Sequence, residues 1–134
     1  MALIDITAPS AEPVLAADVK AAARIDSANT AFDATLTLLI PGIRRLAENR
    51  LGRRLITQTV ELVLDAFPAS EIDLLLPDVQ AISSVKYLEA AAGVETTLDS
   101  TAYALDANSS LESWLHPAVD TGWPDTYDAA NAVR

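Results

Sequence analysis

The stretch Asp33–Phe67, DATLTLLIPGIRRLAENRLGRRLITQTVELVLDAF, changes its hydrophobic period halfway along. In its first part Leu36, Leu39, Ile40, Ile43, Leu46 and Ala47 recur at spacings of three and four, which predicts an amphipathic helix. Gly52 follows where a left-handed C-terminal cap belongs. In the second part Ile56, Val60, Leu62 and Leu64 alternate with Thr57, Thr59, Glu61 and Asp65, the period of a half-buried strand. Pro41 cannot donate its backbone hydrogen bond, so a kink or a break into two pieces is expected there. Arg44 stands four residues before Glu48, a pair worth only about a few tenths of a kcal/mol.

Toward the N-terminus, AADVKAAARI from Ala16 to Ile25 predicts a short helix, and Thr30 with Asp33 resembles a capping box opening the long helix near Ala31. Residues 1–15, with Pro9 and Pro13, read as an extended arm. Toward the C-terminus, strands are expected at Ile72–Pro77, at Ile82–Glu89, in VETTL after a turn at Gly93, and in YALD from Tyr103. Beyond Asp106 no period is sustained, and loops anchored by Trp114, Trp123 and Tyr127 are expected, with NAVR as the start of a strand. The fold class is therefore α+β: two N-terminal helices packed with a small, mainly antiparallel β-meander, followed by an irregular C-terminal region. One domain over 1–134 is expected, divided into an arm (1–15), a helical part (16–54), a meander (55–107) and an irregular tail (108–134).

Composition narrows the function. Of 134 residues 51% are hydrophobic and 21% charged, enough apolar material for a core. There is no cysteine, which excludes disulfide scaffolds, thiolate nucleophiles and cysteine-ligated metals. The net charge of -10 argues against tight nucleic-acid binding. Seven of the nine basic residues precede residue 61, whereas Lys86 and Arg134 alone face thirteen acids after it, so the molecule is electrically polar. The start, MALIDITAPSAEPVL, lacks the charged and apolar regions of a signal peptide, and no run matches a membrane span; a soluble protein made in the cytoplasm is expected.

Enzymatic readings pass through few residues. His116 is the sole histidine, precedes Pro117 and has no nucleophile-elbow motif nearby; a packing or surface role is the plainer reading. Four glycines provide no phosphate-cradling loop. Asp120, Asp125 and Asp128 lack the alternation and central glycine of a calcium loop and read as a solvated acidic segment. No cofactor, metal or catalytic residue is assigned. Arg44, Arg45, Arg50, Arg53 and Arg54 crowd the second half and exit of the long helix, either as a docking surface or as a solvated face complementing the helix dipole. Trp114 and Trp123 are candidate interface aromatics or lids on the core.

Taken in order, VKAAARID, the Asp33–Phe67 stretch with its closing FP, IDLLLPDVQAISSVKYLEAAAGVETTLDSTAYALD and a later WP resemble the head-to-tail connector (adaptor) proteins of tailed bacteriophages and gene transfer agents. The likeness runs from about Val19 to Pro124. It implies a structural role without catalysis: small subunits forming a ring, as a rule of twelve, beneath the portal protein, and presenting a surface to the next head-closure, stopper or tail component. DNA would pass through the channel without tight binding, no membrane would be involved, and the protein would reside in the virion neck. On that resemblance Arg44, Arg45, Arg50, Arg53 and Arg54 become candidates for portal or inter-subunit contacts. Two departures stand out. Longer relatives continue beyond a motif like AVR with a strand and further helices, and they carry ordinary helix formers where Pro41 stands. Rival readings are another neck component, such as a head-closure or tail-completion protein, or a small ligand-binding or hydrolytic domain with a pocket around His116 and Asp120.

Overall fold

A computed structural model describes residues 1–107 and 111–134, and the chain divides into two compact units. One comprises Thr7–Thr59; the other combines Met1–Ile6 with Val60–Arg134. The helices lie between the first strand and the other strands, and the combination is an α+β fold.

The first unit holds α1 (Ala16–Ala22) and α2 (Asp33–Leu51). Asp18, in the first turn of α1, accepts the Leu15 N–H at 3.0 Å, satisfying one otherwise orphaned donor. The helix stops short of Ile25 because Arg24 turns left-handed at φ 57°. The Arg24 N–H then bonds the Ala21 carbonyl and the Ile25 N–H the Lys20 carbonyl, a Schellman cap with arginine in glycine's place. α2 begins at Asp33, later than its capping-box pattern suggests, since Thr30 uses its carbonyl to receive the Asp33 N–H. It runs through Pro41 as one helix of 19 residues, so the expected break does not occur. It ends at Gly52, φ 63°, whose N–H bonds the Glu48 carbonyl. Gly42 sits mid-helix with open space where a Cβ would project. Gly42→Ala should therefore stabilise the protein by about 0.5–1 kcal/mol through helix propensity alone, read as a raised melting temperature.

The second unit is built from short ladders. β1 (Ala2–Thr7) pairs with β2 (Thr59–Val63), so part of the expected arm is a strand. β4 (Lys86–Leu88) and β5 (Glu95–Thr97) form an antiparallel hairpin. Residues 132–134 lie between β2 and β4: Leu64 and Val133 exchange backbone bonds of 2.9 Å, and Lys86 and Arg134 exchange bonds of 2.6 and 2.8 Å. The end of NAVR therefore pairs in the sheet, after a left-handed turn at Asn131, with Ala132 and Val133 buried.

The third ladder has the order β3-β7-β6, from β3 (Ile72–Asp73), β7 (Trp114–Pro117) and β6 (Tyr103–Asp106), all antiparallel. The central strand comes from the segment expected to be irregular, whose first residues, 108–110, lie outside the described residues. β3 is cut to two residues because Leu75 and Asp78 take left-handed φ of 60° and 57°. The Asp73 carboxylate receives the Leu75 N–H at 2.8 Å and fixes the turn. A 3-10 turn at Ser100–Ala102, capped by Asp99, leads into β6. Ile72, Leu74, Val85 and Leu115 are the buried heart of this unit, with Leu62, Leu64, Phe67, Ile82, Leu98, Leu105 and Trp123 packed around them.

Candidate assembly surface

The helical unit inverts the usual burial. Its buried side chains are Lys20, Arg44 and Glu48, while Leu38, Leu39, Ile43 and Leu46 are 78, 50, 63 and 57% exposed. Lys20 is held in an ion pair to Asp33 at the start of α2. The rest of the polar interior centres on Glu48, 1% exposed. Arg44 donates Nη1 to Glu48 Oε2 and Nε to Glu12 Oε2, both at 2.8 Å. Glu48 Oε1 accepts the Leu55 N–H at 3.0 Å and Gln58 Nε2 at 3.2 Å, and Arg54 Nη1 lies 3.9 Å from Oε2. One carboxylate thereby ties α2 to the chain that leaves it.

Burial works against ionisation of Glu48, but the Leu55 N–H, the Arg44 charge, the Gln58 amide and the Arg54 charge outweigh it and hold the carboxyl below its ordinary 4.5. The Glu12 hydrogen bond, opposed by desolvation and aided by the Glu48 charge, raises Arg44. A carboxyl lowered in the folded state stabilises it fully above the unfolded value, and that stability disappears as pH falls through the folded value. Urea midpoints should accordingly stay level down to about pH 5 and fall below the ordinary carboxylate value of 4.5. Glu48→Gln should make that acid limb shallower while lowering the neutral plateau; an unchanged limb would assign it to other carboxylates, Glu95 and Asp99 being lowered as well.

The arginine cluster of the sequence is split by this arrangement. Arg44 is 5% exposed and committed to two carboxylates, so it is unsuited to docking. Arg53 and Arg54 are half-buried at the helix exit. Arg45 and Arg50 are exposed. Leu39, Ile43, Leu46 and Arg50 follow one another at spacings of four, three and four, a single stripe on the face away from Arg44 and Glu48. Sequence periodicity located the apolar face of α2 but not its direction, which the structure places toward solvent. The Arg44–Glu48 spacing was visible, while the parts played by Glu12 and Gln58 were not, since neither lies within a helical turn of the carboxylate.

The aromatics divide similarly. Trp123 is stacked on Phe67, ring centroids 4.9 Å apart and planes within 2°, and donates its indole N–H to the Ser70 carbonyl; it is packed on the core. Trp114 is half-buried in β7 opposite Asp73 and Asp106. An open groove of about 580 Å³ is lined by Ala66–Ala69 and Gly122–Thr126. His116 does not line it: the histidine is half-buried in β7, paired with Ala104. Asp120, Asp125 and Asp128 are exposed, and among the described residues no group of three or more His, Cys, Asp or Glu is placed to hold a metal ion. No helix among them is long and apolar enough to cross a membrane.

No family model matches the chain, and no curated protein matches it. In fold it is similar to a chain of a solved structure described as the neck of an empty GTA (gene transfer agent) particle computed with C6 symmetry. The TM-score is 0.78 at 21% sequence identity, over 95% of this chain and 65% of the other. The chain thus spans about two thirds of the length of the protein whose fold it shares.

Proposed function

We propose that the chain is a structural subunit of the neck of a phage-like particle, and specifically a head-to-tail connector (adaptor). It acts by geometry and surface complementarity, without catalysis or a cofactor. The observation that carries this reading is the agreement of nearly the whole backbone with a chain from such a neck. The sequence resemblance points the same way, and the solvent-exposed apolar stripe of α2 is a surface that suits assembly more than a monomer.

On this reading copies form a ring beneath the portal protein, and a head-closure, stopper or tail component binds the other side. A ring of twelve is compatible with a sixfold axis such as that applied to the neighbour's particle. A net charge of -10 per subunit suits a conduit that repels phosphate and leaves the duplex mobile. The protein would be made in the host cytoplasm and reside in the virion neck. Another neck role, head closure or tail completion, has the same fold-level support, and the identity of the bound partner separates the two.

Mixing the protein with the portal protein of the same particle and examining the product by size exclusion and electron microscopy tests this directly. A symmetric collar on the portal is the expected result. If the protein stays free at low and physiological salt and instead joins a tail component, the alternative neck role takes over. His116→Ala should leave the collar intact; loss of a ligand-dependent activity with that change would favour a small binding or hydrolytic domain.

A further inference from the structure

The stripe Leu39, Ile43, Leu46 and Arg50 is exposed and basic at its C-terminal end. Arg50 makes no ion pair among the described residues. A surface of the opposite kind lies at the tip of the β4–β5 hairpin. There the Glu89 N–H bonds the Val94 carbonyl at 2.9 Å and the Gly93 N–H bonds the Glu89 carbonyl at 2.8 Å, closing a tight turn with Gly93 at φ 62°. The Tyr127 ring lies over Gly93, 3.4 Å from where a Cβ would be, and the Tyr127 N–H bonds the Leu88 carbonyl at 2.9 Å. Val94 and Tyr127 are 57 and 46% exposed. Exposed Glu89, Asp125 and Asp128 border them, and none of the three is in an ion pair among the described residues.

We propose that the α2 stripe of one copy docks on the β4–β5 tip of a second copy of this chain, apolar centre on apolar centre and Arg50 against Glu89, Asp125 and Asp128. The proposal rests on the ring reading and names its subunit contact. Charge chooses the occupant: thirteen acids against two basic residues after residue 60 make that part of a neighbouring copy the strongly acidic partner that a stripe ending in Arg50 fits. Joining unlike surfaces makes the contact heterologous, the type that propagates from copy to copy and closes into a ring when the rotation allows.

The absence of cysteine makes the test clean. Ile43→Cys and Val94→Cys, both at exposed positions, are introduced together in the full chain, which is assembled alone and on the portal protein and oxidised with diamide. A disulfide needs Cα atoms within about 7 Å, so only close apposition is captured. The expected result is a ladder of covalent multimers beyond the dimer, absent when Ile43→Cys is combined with Val119→Cys, and weakened on adding Arg50→Glu. Collars visible by electron microscopy without a ladder would overturn this contact and leave the ring reading standing. An equal ladder from the Val119→Cys pair, or dimers from Ile43→Cys alone, would also overturn it, the latter in favour of a stripe-to-stripe dimer. No multimer and no collar would remove both readings.

Discussion

Glu48→Ala should be among the most destabilising single substitutions in the protein, lowering stability by about 3–5 kcal/mol, the cost of breaking a buried ion pair from one side. The carboxylate is 1% exposed and collects bonds from Arg44, Gln58 and the Leu55 N–H. Truncation leaves a guanidinium at 5% exposure with Glu12 as its remaining carboxylate, and a backbone donor at the helix exit without its acceptor. Against a total stability of about 5–15 kcal/mol that is a large fraction. Helix signal at 222 nm during urea unfolding is the appropriate readout, because both helices belong to the same unit as the network. Replacing both partners, Arg44→Met with Glu48→Leu, should recover most of the loss, since what costs most is the orphaned charge and not the missing attraction. A Glu48→Ala cost below about 1 kcal/mol would be that of an exposed surface pair and would contradict the buried network.

The local rules that depend on neighbours in sequence were the ones legible without coordinates. The 3.6-residue period placed α2, Gly52 marked its end, and YALD marks β6 to the residue, Tyr103–Asp106. Three things needed tertiary information. The direction of the α2 apolar face was one: periodicity shows that an apolar face exists, but nothing in it says whether that face meets its own chain or solvent. The buried charges were another, because an i,i+4 Arg–Glu pair has the same spacing whether it is solvated or enclosed by Glu12 and Gln58 from elsewhere. β7 was the third. Its core is one inward residue, Leu115, between Trp114 and His116, too short to establish alternation, and Pro117 at its end reads as a strand breaker although it is tolerated at a strand terminus.

That short strand carries the second large effect. Leu115→Ala should cost about 3–4 kcal/mol, within the range for truncating a well-packed buried leucine, whose site relaxes only in part around the cavity. Leu115 is 3% exposed and opposes Ile72 on β3 and Leu105 on β6, so both neighbours of the central strand lose packing at once. Backbone bonding restricts collapse into the space: the strand is paired on both sides, and the Leu74 N–H bonds the Ser113 carbonyl at 3.0 Å just before β7 begins. For a chain of this size the thermal midpoint should fall by roughly 10 °C, at about 3 °C per kcal/mol. Tryptophan fluorescence reports it directly, since Trp114 precedes Leu115 in β7 and Trp123 packs on the same core. Leu115→Ile, which nearly conserves volume, should cost less than about 1.5 kcal/mol. If alanine proved equally mild, the Trp114–Pro117 segment would be a loop lying on the surface, as its sequence alone suggests, and the β3-β7-β6 sheet would lose its centre.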